Sequence, residues 1–420
     1  MRAIFQVVIF FVIMGLVTTC KPAIQEDEQL LERLMKTNLT FFEKYLNHRA
    51  DWEIQVIYTQ IDRDSANRPS FKSYYFNFDS TRYFYPASTV KLPQVVLAFQ
   101  KLNQLNVPGV NKFTAMVSDS VYSGQISAHQ DSTAPNGRPS IAHYAKKILV
   151  VSDNDAFNRL YEFVGQRETN EALRTRGYQT RILHRLERPL TPDQNRHTEA
   201  VRFLDDQQRE VYTQPMLVND SIAVATPVLR GDGYIRADSL VAEPFDFTYK
   251  NFYPLNEQQR FLRTLLFPET VPPQLQFDLS PEDRAFLFQY MSQYPAETEY
   301  PPYFQDSTLY DAYCKFLLFG EARERIPDRL RIFNKVGDAY GYLIDNAYIV
   351  DFESGVEFML SAVINTNTDG IFNDGKYEYA TLGFPFMREL GRLVYDHEQK
   401  RARARKPDLS RFKLSYERPR

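Results

Sequence analysis

Three short polar segments, in a fixed order along the chain, carry the residue types of a serine acyl-transfer site. They are Ser88-Thr89-Val90-Lys91, Ser152-Asp153-Asn154 and Lys335-Val336-Gly337. A serine hydroxyl is a weak nucleophile at its own pKa and needs an adjacent base. Residues three apart share one face of a helix, so Lys91 can lie against Ser88 and, when desolvated, accept its proton. The first segment therefore predicts a serine nucleophile with a lysine base.

The other two segments supply the remaining polar groups of such a site. Ser152 can relay a proton to the leaving nitrogen, and Asn154 can hydrogen-bond both a substrate amide carbonyl and Lys91. Lys335 offers a second cation, which can bind a substrate carboxylate and lower the pKa of a neighbouring lysine. Gly337 would let a substrate backbone lie close against a strand. These residues predict substrate binding next to the nucleophile.

Two backbone N–H groups are candidates for an oxyanion hole. Ser88 begins a helix, where N–H groups have no intrahelical partner, and Asp338 follows the glycine of the third segment. Taken singly, each segment is also compatible with a solvated helix start or a plain helix cap. Their order and the element patterns around them favour the functional interpretation.

Apolar periodicity predicts the elements that must position these segments. Helices are expected over residues 24–47, 89–102, 141–149, 156–164 and 379–398. Strands are expected over residues 52–58, 74–78, 330–334, 346–352 and 356–364. Ser140 is expected to cap the helix that ends just before Ser152-Asp153-Asn154. The nucleophile and the second segment are thus predicted at helix ends, and the third on a strand.

The middle and the end of the chain differ from the rest in composition. Residues 206–310 are rich in Pro, Tyr, Phe and Gln, which predicts an insertion or an enlarged lobe and not a disordered linker. Residues 400–420 are mostly basic and polar, which predicts a solvated tail. Attraction of that tail to anionic envelope polymers or lipid is the alternative.

The N-terminus predicts export. Residues 1–19 combine Arg2, an apolar run and small residues in the manner of a signal peptide. Cys20 follows directly and resembles the lipidated cysteine of bacterial lipoproteins, although Thr19 departs from the small residues usual before it. An ordinary signal peptide is the alternative. Cys314 is then the remaining cysteine, so no disulfide is expected.

Composition excludes several other function classes. The formal net charge of −3 over 420 residues shows no excess of basic residues, which argues against nucleic-acid binding. The six histidines are scattered without metal-ligand spacing, and no glycine-rich phosphate loop is present, so neither a metal nor a cofactor is expected. A small-molecule substrate and a monomer are the expectations that remain.

The chain resembles the class A β-lactamase and penicillin-binding-protein superfamily of serine hydrolases. The segments that carry the resemblance are Tyr85-Pro86-Ala87-Ser88-Thr89-Val90-Lys91, Val151-Ser152-Asp153-Asn154-Asp155-Ala156 and Phe333-Asn334-Lys335-Val336-Gly337. It covers about residues 26–205 and 325–397. The resemblance implies an α/β (α+β) three-layer sandwich, in which terminal helices flank a mainly antiparallel sheet and an insertion enlarges a helical lobe. The implied boundaries are 20–205 and 311–399 for the two parts of the domain, with 206–310 inserted between them.

Two departures from the family pattern bear on turnover. Val336 stands where the family has a hydroxyl residue that helps to hold a substrate carboxylate. Leu183-His184-Arg185-Leu186-Glu187 is similar to the start of the loop whose glutamate deacylates class A enzymes, which makes Glu187 the candidate base. Thr191 stands where that loop has an asparagine four residues on. A surface salt-bridging carboxylate is the alternative for Glu187.

Three functional hypotheses follow from the resemblance. The first is an exported serine hydrolase that forms an acyl-enzyme on Ser88 with a β-lactam or related amide. The second is a D-alanyl-D-alanine peptidase or esterase acting on peptidoglycan-derived or other envelope material. The third is a catalytically idle envelope-binding protein. In each case the expected location is the cell envelope, in the periplasm or on the outer membrane, with a lipid anchor through Cys20.

Overall fold

The computed structural model of the protein describes residues 28–221, 224 and 226–419. The predicted signal peptide and Cys20 lie outside these residues. Within them, no helix combines the length and the apolar character needed to cross a membrane.

Helices and strands alternate irregularly along the chain. The helices are α1 Glu28–Lys36, α2 Leu39–Asn47, α3 Lys91–Leu105, α4 Ile141–Val151, α5 Asn154–Val164, α6 Gln166–Arg174, α7 Pro192–Arg196, α8 Leu255–Leu266, α9 Pro281–Ser292, α10 Phe316–Phe319 and α11 Phe384–Lys400. The strands are β1 Gln55–Arg63, β2 Pro69–Phe76, β3 Ala115–Asp119, β4 Ala200–Leu204, β5 Glu210–Gln214, β6 Leu229–Arg230, β7 Gly233–Arg236, β8 Ser239–Val241, β9 Phe245–Asp246, β10 Leu330–Ala339, β11 Tyr342–Asp351, β12 Val356–Asn365 and β13 Ile371–Phe372.

Most of the predicted elements are present, with shifted ends. The helix expected over 24–47 is divided into α1 and α2 by a turn at Thr37 and Asn38. The first strand begins at Gln55, and its hairpin partner runs over Pro69–Phe76, earlier than expected. Ser140 caps α4 as predicted, since its hydroxyl accepts a hydrogen bond from the His143 N–H at 3.2 Å.

The central sheet is antiparallel throughout, in the strand order β10-β11-β12-β1-β2. The N-terminal hairpin therefore pairs with β12, about 300 residues later, through six residue pairs such as Tyr58 with Leu360. This arrangement confirms the predicted mainly antiparallel sheet. It leaves β10, which carries Lys335, at one edge.

Helices cover both faces of this sheet, which confirms the three-layer sandwich. Adjacent residues of a strand point to opposite faces. Accordingly, Ile332 of β10 lies in the core with α1 and α11, whereas Phe333 lies in the core with the helical lobe. The lobe core includes residues of α3, α4, α5, α8 and α9.

Residues 206–310 pack into the helical lobe and against the sheet. β5 pairs with β4, which extends the small sheet β3-β4-β5. From α8, the Gln259 amide donates hydrogen bonds to Ile57 O at 3.0 Å and Ser361 Oγ at 2.9 Å on two adjacent central strands. This segment thus covers one face of the central sheet.

The prediction of a solvated C-terminal tail is wrong. Phe412 is completely buried, and its ring lies 4.8 Å from the Tyr348 ring of the central sheet. Glu417 accepts hydrogen bonds from Lys146 Nζ and, at 2.7 Å, from the Tyr290 hydroxyl. The many basic residues obscured the few apolar ones in the sequence, and those apolar residues anchor the segment to the lobe.

We expect Phe412→Ala to lower the free energy of unfolding by about 3–5 kcal/mol, because it removes a fully buried ring and leaves a cavity. Urea denaturation followed by circular dichroism measures the change. Arg405→Ala, at an exposed position of the same segment, should stay within about 0.5 kcal/mol of the wild type. Equal stabilities of the two variants would contradict the anchoring.

Candidate active site

Ser88 lies on a tight turn at the start of α3. The turn spans Ala87–Val90 in 3-10 geometry, and the backbone N–H and hydroxyl of Thr89 both bind Pro86 O, at 3.1 and 2.6 Å. Ala87 has a φ of +47°, a left-handed conformation that is uncommon for a residue with a side chain. The Ser88 hydroxyl makes no hydrogen bond to any described residue. The turn therefore presents a half-buried serine with a free hydroxyl.

Two buried lysines meet at Ser152. Lys91 Nζ donates to Ser152 O and, at 3.3 Å, to Ser152 Oγ. Lys335 Nζ donates to the same Ser152 Oγ at 2.8 Å and to Val336 O at 2.9 Å. Within the described chain Asn154 makes no hydrogen bond to Lys91, so that predicted contact is not observed. The Ser152 hydroxyl oxygen thus accepts a hydrogen bond from each of the two lysines.

Burial changes the acidity of both lysines. Burial and then the nearby charge of Lys335 lower the pKa of Lys91 well below its usual value. Burial also lowers the pKa of Lys335, to about 8. Both lysines therefore have a neutral form accessible at moderate pH, which a general base requires.

The second segment forms the junction between α4 and α5. Ser152 ends α4 with a φ of +63°, and Asp153 caps α5 by accepting the Ala156 N–H at 2.7 Å. Lys147 Nζ contacts Asp153 Oδ2 at 3.4 Å and Asp131 Oδ2 at 3.0 Å, which fixes the junction from outside. Ser152 and Asn154 are thus held by helix caps and an ion pair.

Gly337 lies directly against the nucleophile turn. A Cβ atom at this position would come within 2.9 Å of both Pro86 O and Ser88 N. Side chains do not tolerate such distances to backbone atoms. The glycine is therefore required by the approach of β10 to the Ser88 turn, and not only by a substrate backbone as the sequence suggested.

The hydrogen-bond pattern of β10 directs the Asp338 N–H away from its neighbouring strand. The Phe352 N–H donates to Arg329 O at 3.0 Å, so hydrogen-bonded pairs of the β10–β11 ladder fall on odd-numbered residues of β10. Asp338, opposite Leu343, lies at a non-hydrogen-bonded pair. Its N–H points toward the sheet edge where the Ser88 turn lies, as an oxyanion donor requires.

A cleft of 590 Å³ lies in front of these groups. Ser88, Asn154, Glu187 and Asp338 line it together, whereas Lys91 is buried behind them with Ser152 and Lys335. Glu187 is exposed and has a φ of +53°. The structure therefore brings Ser88, Asn154, Glu187 and Asp338 to one cleft and places the two lysines and Ser152 behind it.

Residues 42–223 match a family model described as the Beta-lactamase enzyme family. The match spans Ser88, Lys91, Ser152, Asn154 and Glu187. The matched residues make up less than half of the chain, and over them the chain is similar to that family. Lys335 and Gly337 lie beyond the matched residues. A search of curated protein sequences found no match to the chain.

Several solved structures are similar to this chain at low sequence identity. A β-lactamase from Xanthomonas campestris pv. campestris is 14% identical, with a TM-score of 0.47, over 87% of this chain and 98% of that one. The protein PBP-A is 15% identical, with a TM-score of 0.46, over 89% of this chain and 96% of that one. The extended-spectrum β-lactamase TLA-1 is 14% identical, with a TM-score of 0.46, over 88% and 99%.

Val336 occupies a different environment from its neighbours on β10. Its side chain is buried in the core that includes residues of α1 and α11, behind the sheet, because adjacent strand residues face opposite ways. Lys335 and Gly337 face the cleft side instead. The side chain at position 336 thus contributes to the core and not to the cleft.

The loop that carries Glu187 is held by residues that the sequence did not indicate. The Asn158 amide binds both backbone groups of Leu186, accepting its N–H at 2.9 Å and donating to its carbonyl at 3.0 Å. Arg185 forms a buried ion pair with Glu162, with Nη2 2.7 Å from Oε2. The two residues immediately before Glu187 are therefore fixed to α5.

Asn195 steadies the far side of the same loop. Its Oδ1 accepts the Arg185 N–H at 3.0 Å, and its Nδ2 donates to Leu190 O at 3.2 Å. Thr191 instead caps α7, where its hydroxyl accepts the Gln194 N–H at 3.1 Å. An asparagine thus supports the loop that carries Glu187 from a position eight residues later, which no local sequence pattern indicated.

Proposed function

We propose that the protein is an exported serine hydrolase that forms an acyl-enzyme on Ser88 with a β-lactam or related amide and hydrolyses it. The observation that carries this proposal is the convergence of Lys91 and Lys335 on Ser152 Oγ beside the Ser88 turn. Burying two ammonium groups side by side destabilises a fold unless one gives up its proton. Such perturbed pairs are characteristic of reactive sites.

The placement of these groups supports the following acylation step. Ser88 Oγ attacks the substrate carbonyl carbon, and its proton passes to neutral Lys91 Nζ. The N–H groups of Ser88 and Asp338 stabilise the oxyanion that forms. The C–N bond then breaks, and Ser152 passes a proton from the lysine pair to the leaving nitrogen. The product is an ester between Ser88 and the acyl group.

Deacylation is assigned to Glu187. Its carboxylate takes a proton from the water that attacks the ester carbonyl, and as the C–Oγ bond breaks that proton passes to Ser88 Oγ, which restores both groups. In this superfamily the base for acylation is disputed between the lysine and the loop glutamate. Here Lys91 contacts the proton-relay residue Ser152 directly, which favours the lysine for that step.

A peptidase or esterase acting on envelope material is the second candidate. The surroundings of Glu187 favour this candidate. The Glu187 carboxylate is exposed and accepts no hydrogen bond from any described residue. A base that is held loosely would leave the acyl-enzyme long-lived. A catalytically idle envelope-binding protein is the third candidate and forms no adduct.

Export and anchoring are proposed from the N-terminal sequence alone. The signal-like residues 1–19 and Cys20 support an N-terminal lipid anchor and a place in the periplasm or on the outer membrane. The substrate is then a small molecule or a peptidoglycan-derived compound, and the protein a monomer. Palmitate labelling of cells should mark the wild type and not Cys20→Ala; equal labelling would refute the anchor.

Intact-mass spectrometry over a time course with penicillin G tests the proposed function. An adduct of the penicillin mass that forms and disappears supports hydrolysis of β-lactams. An adduct that persists for hours supports the peptidase or esterase. The absence of any adduct, together with no turnover of simple esters, would refute both enzyme functions.

The rate of acylation should fall on the alkaline side as Lys335 loses its proton. With a pKa of about 8, the Lys335 cation is present below that pH and lost above it, so kcat/KM should decline above about pH 8. Lys335→Arg keeps the cation, since a guanidinium stays protonated to about pH 12. We expect the alkaline limb to move up by at least about one pH unit in that variant. Lys376→Arg, at an exposed lysine, is the control; an unmoved limb in Lys335→Arg would show that another group sets it.

A further inference from the structure

Lys250 lies where the active-site cleft joins a second, larger cavity. The second cavity has a volume of 1010 Å³, and four residues line both spaces: His184, Arg188, Pro189 and Lys250. Lys250 belongs to the segment 206–310, which the family match barely enters. A substrate bound at Ser88 can therefore extend past Lys250 into the larger cavity.

Lys250 has no ion-pair partner among the described residues, unlike the arginines around it. Arg185 is paired with Glu162, Arg188 contacts Asp155 Oδ1 at 3.3 Å, and Arg196 contacts Asp193 Oδ1 at 2.8 Å. Burial lowers the pKa of Lys250, and the Asp246 carboxylate partly opposes that shift but makes no contact with it within 4.0 Å. The Lys250 side chain is thus available to form an ion pair with an anionic ligand.

Aromatic rings hold this cation in place. Lys250 Nζ lies 5.9 Å from the ring centroids of both Phe245 and Tyr340, within the range of cation–π attraction. Tyr340 also lines the active-site cleft. The side chain is half-buried, so an anion that reaches it meets a cation that is already oriented and partly desolvated.

His184, which lines both cavities beside Lys250, is neutral. Its Nδ1 lies 2.6 Å from Arg185 O, and a carbonyl oxygen only accepts, so Nδ1 carries the proton. Burial and the charge of Lys250 lower the pKa of the imidazole to about 3. Its Nε2 is left as an acceptor with no partner among the described residues, although the residue is only 8% exposed. The histidine therefore neither adds a charge nor neutralises that of Lys250.

We propose that Lys250 binds a carboxylate on the acyl portion of the substrate, and that the larger cavity receives the remainder of that portion. The acyl side is indicated because Ser152, which serves the leaving nitrogen, lines neither cavity, whereas Lys250 lies beside the Glu187 loop. Lys250 is then a specificity-determining residue outside the three motif segments. The inference rests on the function proposed above, since it requires an acyl-enzyme on Ser88.

Matched ester substrates test this selection. p-Nitrophenyl esters whose acyl chains end in a carboxylate or in a carboxamide of the same length differ only in charge. The wild type should prefer the carboxylate by about tenfold in kcat/KM, as a charge-assisted hydrogen bond in a partly buried site provides. Lys250→Met should lose this preference, while Lys250→Arg should keep most of it. Lys376→Met, which removes an exposed lysine of the cleft loop, should keep all of it.

The outcomes separate this inference from the proposed function. Unchanged turnover of the carboxamide ester by Lys250→Met shows that the variant is folded and its acylation machinery intact. If that variant retains the preference, or if the wild type has none while Ser88 still drives hydrolysis, the role of Lys250 is overturned and the proposed function stands. If neither ester is hydrolysed in a Ser88-dependent way, the proposed function fails and this inference fails with it.

Discussion

Ser88→Ala is expected to form no adduct with penicillin G and to lose hydrolysis by on the order of 10³-fold or more, because no other hydroxyl takes the place of the nucleophile. Ser152 does not substitute, since its Oγ is engaged by Lys91 and Lys335. Intact-mass spectrometry reads the adduct, and absorbance of the β-lactam reads turnover. Both signals should disappear in the same variant.

The fold should be unaffected by this change. The Ser88 hydroxyl has no hydrogen-bond partner among the described residues, so its removal leaves no buried group unsatisfied. Thermal unfolding of Ser88→Ala should therefore match that of the wild type. Ser354→Ala, an exposed serine in the turn between β11 and β12, is the matched control and should acylate normally. An adduct on Ser88→Ala would place the nucleophile elsewhere.

Glu187→Gln is expected to lengthen the lifetime of the acyl-enzyme by about 10²–10⁴-fold, the usual contribution of a general base. A glutamine keeps the size and polarity of the side chain but does not take a proton from water. The adduct should form at the wild-type rate and then persist, as seen by mass spectrometry after excess penicillin is removed. The exposed position of Glu187 makes a folding defect unexpected.

Two other results would each change the assignment. If Glu187→Gln slows the formation of the adduct instead of its breakdown, Glu187 is the acylation base and Lys91 is not. If the adduct is equally long-lived in wild type and variant, Glu187 has no role in deacylation and the peptidase or esterase is favoured. Glu353→Gln, which is 78% exposed and remote from the cleft, controls for the loss of one charge.

Local features of the sequence were enough to identify the nucleophile segment, the Ser140 cap and the five strands of the central sheet, but not the shorter strands β3–β9 and β13. Helix and strand periodicity, and caps such as Ser140, act within a few residues, so the sequence displays them directly. The order of the three segments could also be determined from the sequence, because each segment consists of consecutive residues. Predicting that Lys335 lies on a strand and that Ser152-Asp153-Asn154 ends a helix required no knowledge of the fold.

The sequence by itself thus determined the chemical groups of this protein and the elements that carry them. The tertiary structure decided how those groups meet. Lys91 and Lys335 reach Ser152 across separations of 61 and 183 residues, and Gly337 proves to be required by the Ser88 turn. Burial, which lowers the lysine pKa values, and the unpaired charge of Lys250 exist only once distant segments pack. Such contacts depend on packing between elements, which periodicity within a single element does not encode.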